Sequence, residues 1–181
     1  MSDDTDAVSS LRAVAHPLRL RILSLLTGAE LSAAEVAREL DLTHANASYH
    51  LRVLAEAGEV VVAGEEKIRG GVAKRYRHPW QDERVQRSPH ARTTEDRELH
   101  LRAMGEELVR RGRSRRSGTK ASMTDAELWV TPEVWGQVCA LVEQASHLVH
   151  AEARPPRTAG TLHVNLTAAT FEMTDPGGRD R

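Results

Sequence analysis

The sequence predicts a mainly α-helical fold with a small β-wing, and three observations carry that expectation. Aromatic residues make up only 3% of the 181 residues, so the core must rest on Leu, Val and Ala, which favours helices. Two short helical patterns, "SAAEVAREL" and "THANASYHLRVLAEA", follow each other across a tight Asp41-Leu42 turn. A Gly-rich stretch with alternating apolar residues follows at once, from Val60 to Arg77, and reads as a hairpin.

Each element can be justified in order. Val8, Leu11 and Val14, then Leu18, Ile22, Leu25 and Leu26, recur at helical spacing. Pro17 splits the run, since a proline is welcome only in a first helical turn. Two helices meeting at His16-Pro17 are expected, the second ended by Gly28. Ser32 and Glu35 form a capping box, with Val36, Ala37 and Leu40 as the buried stripe. Thr43 caps the next helix, which runs to Ala57 and stops at Gly58. Strands are expected at Val60 to Val62 and Val72 to Arg77, with Gly64, Gly70 and Gly71 shaping a long tip that carries Lys67 and Arg69.

Residues 80–92 have no period and read as linker. Thr94 is the expected cap of a helix with acids in its first turn and arginines in its last, and a basic run follows at Arg110–Arg116. "ELWV", residues 127–130, is a short strand candidate. Thr131-Pro132-Glu133 opens a helix to about Arg154 that is expected to bury Val134, Val138, Leu141, Val142, Ala145, Leu148 and Val149. Leu162, Val164 and Leu166 alternate as a strand expected to pair with 127–130. The boundaries are a disordered 1–7, a first domain over 8–79, a linker with a helix over 80–120, a C-terminal dimerisation or sensing region over 121–174 and a tail over 175–181.

The charge balance adds a direction. The net charge is −1, but residues 41–120 hold seventeen Lys and Arg against twelve acids, while both ends are acidic. That asymmetry permits a basic surface on a nearly neutral chain. The single Cys139 excludes an internal disulfide and fits a reducing compartment. With neither a basic, apolar leader nor a span-length apolar run, a cytoplasmic protein with no membrane partner is expected.

The helix after Thr43 places Ala47, Leu51 and Leu54 on one side and Ala45, Ser48, Tyr49, Arg52 and Glu56 on the other, at about 100° per residue. His44 and Asn46 flank its first turn. A polar start with leucines held back suits a helix whose N-terminal residues meet base edges in a DNA major groove, the second helix of a helix-turn-helix. The basic hairpin then reads as a wing that touches phosphate. "AHPLRLRILSLL", "SAAEVARELDLTHANASYHLRVLAEAGEV" and "KRYRH" resemble the winged-helix repressors of the ArsR family over about residues 8–79. Within that stretch Ser48, His50, Leu51, Leu54, Ala57 and Gly58 match the family's S-x-H-L-x-x-L-x-x-A-G pattern. The resemblance implies a homodimeric transcription regulator, a repressor, acting on double-stranded DNA with a pseudo-palindromic site. Its metal-sensing members carry cysteine on the first helix of the motif, and "LSAAEVAREL" has none. The later region resembles, more loosely, the extension of larger relatives in which an "LW-x-TPEE"-like start leads into a long helix and a strand.

The expected DNA contacts are therefore Ser48, Tyr49 and Arg52 on bases, His44 and Asn46 at the edge, and Lys67, Arg69, Lys74 and Arg75 on phosphate. Cys139, Glu143, His147 and His150 share one sector of the C-terminal helix, but Cys139 to His150 spans about 16 Å, too far for one ion. A solvated face is the simpler reading, and no metal or other cofactor is expected. A small-molecule effector is compatible with the C-terminal region. With no phosphate loop, nucleophile triad or carboxylate pair, catalysis is not expected. The competing reading, a winged helix that binds protein, needs several large apolar groups on the outward face, and Tyr49 is alone there.

Overall fold

The computed structural model describes residues 12–68, 71–82 and 93–174. Residues 12–14 are helical and end at a bend. Five further helices and three strands follow: α1 (Pro17–Thr27), β1 (Leu31–Ser32), α2 (Ala33–Leu40), α3 (His44–Glu56), β2 (Val61–Ile68), β3 (Gly71–Arg77), α4 (Thr94–Arg113) and α5 (Pro132–Ala151). This is a winged helix-turn-helix followed by a helical extension.

The capping box expected for α2 is made, and α1 has a cap of its own. His16 caps α1: its backbone is extended and its Nδ1 accepts from Leu18 N at 3.1 Å, with Pro17 in the first turn. Ser32 and Glu35 form the reciprocal capping box of α2. Helices α1, α2 and α3 close over one core, in which Ile22, Leu26, Val36, Leu51 and Leu54 lose nearly all exposure. Gly58 takes φ 75° just past the Ala57 cap, a left-handed stop for which glycine is suited. Glu59 N then donates to Leu54 O at 2.9 Å, and Val60 is turned into the core.

The sheet has order β1-β3-β2, all antiparallel. Its third strand, the two-residue β1, escapes a reading by periodicity because two residues carry no period. The hairpin arms are longer than expected, running in register to Ile68↔Gly71. The long tip is thereby corrected: Gly64 lies inside β2, at a register shift between Val62 and Gly64. Gly70 and Arg69 lie outside the described residues. His78 N donates to Leu26 O at 3.0 Å and binds the end of β3 to α1.

Helix α4 is capped by Thr93, one residue before the expected Thr94. It is packed against α1 and buries Asp96, Ala103 and Glu107. The two buried acids are answered locally. Asp96 accepts from Thr93 Oγ1 at 2.8 Å and pairs with Arg12 at 3.2 Å. Glu107 takes Arg110 and Arg111.

One expectation for the extension is overturned: residues 127–130 and 162–166 form no strand and do not pair with each other. Helix α5 ends at Ala151, and the described residues of one chain do not cover its stripe: Val134, Val138, Leu141, Ala145 and Leu148 are exposed, and Val142 and Val149 are half-buried. Among the described residues, polar and ring contacts join the extension to the rest of the chain. Arg157 grips Glu39 at 2.7 Å, Arg111 holds Asn165 at 3.1 Å, and Trp80 has both His147 and His150 with ring centroids at 5.4 Å. The chain also passes so close to Gly28 that a Cβ there would stand 2.8 Å from Arg154 O.

Candidate nucleic-acid interface

The turn that aims α3 is built from one strained residue and two caps. Asp41 adopts φ 55°, ψ 55°, and its N–H returns to Ala37 O; aspartate is among the few non-glycine residues that tolerate this region. Leu42 N reaches the same carbonyl at 2.8 Å. Thr43 Oγ1 then accepts from Asn46 N at 3.2 Å and starts α3.

On α3, Ala47, His50, Leu51 and Leu54 point into the protein. His44, Ala45, Asn46, Tyr49, Arg52 and Glu56 are exposed, and Ser48 is half-buried. Tyr49 remains half exposed, and the Arg52 guanidinium lies 5.8 Å from its ring centroid, which restrains an otherwise long, free side chain. The outward face is thus polar, uncovered by the other described elements, and attached to the core through every third or fourth residue.

His50 is the residue that periodicity did not single out. It is 7% exposed, and its ring lies 5.1 Å from that of His16. Its Nδ1 has no hydrogen-bond partner among the described residues. Burial, then the nearby Arg19, pushes the His16 pKa below its ordinary value; burial, then His16 and Arg19, does the same to His50. Arg19 itself clasps the carbonyls of Ala13 and Arg12.

The wing is less basic than a count of its Lys and Arg suggests. Lys67 and Lys74 are exposed on β2 and β3, but Lys74 stands across from Glu65 in the ladder. Arg75 is committed inward. Its Nη1 lies 3.1 Å from both Glu35 and Glu66, and Nη2 donates to Glu30 O. Ser32 N and Oγ also bond Glu35, at 2.8 and 2.9 Å. Burial alone would raise the Glu35 pKa, but these Ser32 bonds and Arg75 outweigh it and hold the carboxyl below its usual range. Arg75, expected on phosphate, here ties the wing to α2. The signal was present in the sequence only as Glu35 of the capping box, whose second partner is 40 residues away.

The metal candidates separate. Cys139 is half-buried, His150 Nδ1 bonds Ser146 O at 2.7 Å, and the rings of His147 and His150 face Trp80. Among the described residues no group of three or more His, Cys, Asp and Glu side chains is close enough to hold an ion. No described helix is long and apolar enough to cross a membrane.

A protein-family model described as a helix-turn-helix domain matches residues 14–61, from the end of the first helical segment to the start of β2. No curated protein matches the chain.

Proposed function

We propose that the chain is a sequence-specific DNA-binding transcription regulator of ArsR type, a repressor that acts as a two-fold dimer. The observation that carries this reading is the uncovered polar start of α3, with His44, Asn46, Tyr49 and Arg52 exposed beside buried Ala47 and Leu51. Groups of this size and polarity suit base edges, with Ser48 beside them at the rim. Lys67 and Lys74, and Arg69 by its place in the sequence, serve phosphate. A pseudo-palindromic site with half-sites about one helical turn apart follows from the two-fold dimer. A small organic effector acting through the extension is compatible with this scheme.

Selection of genomic fragments by the purified protein tests the reading. A recovered inverted repeat, bound far more tightly than random duplex, supports it. Retention of random duplex alone, or of none, with a salt-insensitive protein complex instead, would assign the chain to protein recognition. In that case Tyr49 would be the anchor of the interface.

A further inference from the structure

Residues 161–174 belong to no helix and pair with no strand among the described residues. Arg111 tethers them: its Nη1 donates to Asn165 Oδ1 at 3.1 Å and Thr167 Oγ1 at 3.5 Å. As a strand, this segment would place Asn165 and Thr167 on one side and Leu162, Val164 and Leu166 on the other, and those three are 80%, 59% and 47% exposed. Trp129, in the segment before α5, is 85% exposed, and the outer stripe of α5 lies open as described. Arg111 therefore holds polar residues of this segment while its apolar side chains stand exposed.

The amount of surface is that of an interface. Between Leu128 and Met173, twelve large apolar side chains are at least 39% exposed. Burying one removes about 60–120 Å², so together they offer on the order of the 800 Å² that each partner gives to a standard interface. A monomer rarely leaves so large an apolar surface in water.

We infer that a second copy of this chain covers it, with residues 161–168 pairing as a strand against residues 126–130 of that copy. This rests on the two-fold reading proposed above and specifies how the dimer closes. The chain carries both halves of the contact, an alternating apolar strand with open edges and a helical stripe, as a self-complementary two-fold patch requires. Strand pairing between copies also satisfies backbone groups that a helix-only interface would leave to water. The two α5 stripes then pack beneath the shared sheet.

The test uses the full chain without DNA, so its failure leaves the DNA reading standing. Sedimentation should give a dimer whose Kd rises at least tenfold, about 1.4 kcal/mol, in a Leu162→Glu, Val164→Glu variant. Both side chains are solvent-exposed in the single chain, so circular dichroism of the variant should be unchanged. Hydrogen exchange should show amides in 126–130 and 162–168 gaining protection together as protein concentration passes the Kd. A monomer at all concentrations, protection independent of concentration, or a dimer broken only by Leu101→Glu, Leu108→Glu on α4 would each overturn the proposal.

Discussion

The imidazoles of His16 and His50 lie 5.1 Å apart, one capping α1 and the other buried on α3. Because His16 Nδ1 accepts the Leu18 N–H, that nitrogen must be unprotonated. Protonation would remove the cap and place a cation beside Arg19 and His50. The charged groups nearby do not remove the conflict: Arg19 and Arg21 on α1 and Arg110 on α4 oppose Glu106 and Glu107, and Glu107 is already committed to Arg110 and Arg111.

Both histidines have folded-state pKa values below their ordinary ones. The folded form thus binds fewer protons than the unfolded chain, and the stability they contribute is full above about pH 6.5. It is lost as pH falls through the folded values. Denaturant midpoints should fall between about pH 7 and 5, and a His16→Asn variant, which keeps a neutral cap acceptor, should flatten the slope. An equal slope in both proteins would place the titration elsewhere.

Glu35→Ala should remove the α2 capping box and free Arg75 in one step. Loss of such a cap costs about 0.5–2 kcal/mol. Arg75→Ala should destabilise the fold while leaving the salt slope of DNA binding unchanged, whereas Lys67→Ala or Lys74→Ala should reduce that slope by about 1 each. A reduced slope in Arg75→Ala would return it to the phosphate contacts. Since the Glu35 pKa is held low, this contribution is present above about pH 4.3 and is lost on acidification below it.

Arg52→Ala should weaken specific binding by about 1–3 kcal/mol and relax preference at one base position if Arg52 reads a base. Fragment selection on both proteins measures this. Unaltered preference with a shallower salt slope would make Arg52 a phosphate contact.

Much of this architecture was legible because local rules and tertiary structure agree over residues 16–68. Pro17, the Ser32–Glu35 pair, Thr43 and Gly58 each fix a helix end by chemistry within four residues. What stayed hidden depends on distant partners. The Arg12–Asp96 ion pair ties α4 to the helical segment before α1 across 84 residues of sequence. Arg75 looks like a wing cation until its carboxylates are in place. Leu162, Val164 and Leu166 have the alternation of a strand, yet the segment pairs with no strand among the described residues, and periodicity alone cannot supply a partner.

Gly28→Ala should loosen the seat of the extension. The glycine's φ is −102°, so backbone freedom is not its reason; the Arg154 carbonyl 2.8 Å from the missing Cβ is. Forcing the chain apart costs about 1–3 kcal/mol. Amides of 152–160 should exchange faster in the variant while those of α3 are unchanged. Unaltered exchange would mean that the 153–154 segment shifts freely.

Regulation through a thiophilic metal should be absent. Soft ions bound through thiolates need two or more cysteines, and this chain has Cys139 alone. Cys139 is eight residues from His147 on α5, about 12 Å of helix rise, so one chain cannot close a site around both. His147 and His150 could offer two ligands, but His150 is bonded to Ser146 O and both rings lie against Trp80, one edge-on and one tilted. Recruiting them to zinc would dismantle the contact that holds α5 near the first domain. Binding to a selected DNA fragment should therefore be indifferent to zinc, nickel, cadmium and arsenite. The control is a Cys139→Ser, His147→Ala, His150→Ala variant, with Glu143→Gln as a further arm. Metal-driven release in the wild type that disappears in the triple variant would overturn the expectation and would locate the ion on α5, with a second copy completing its shell.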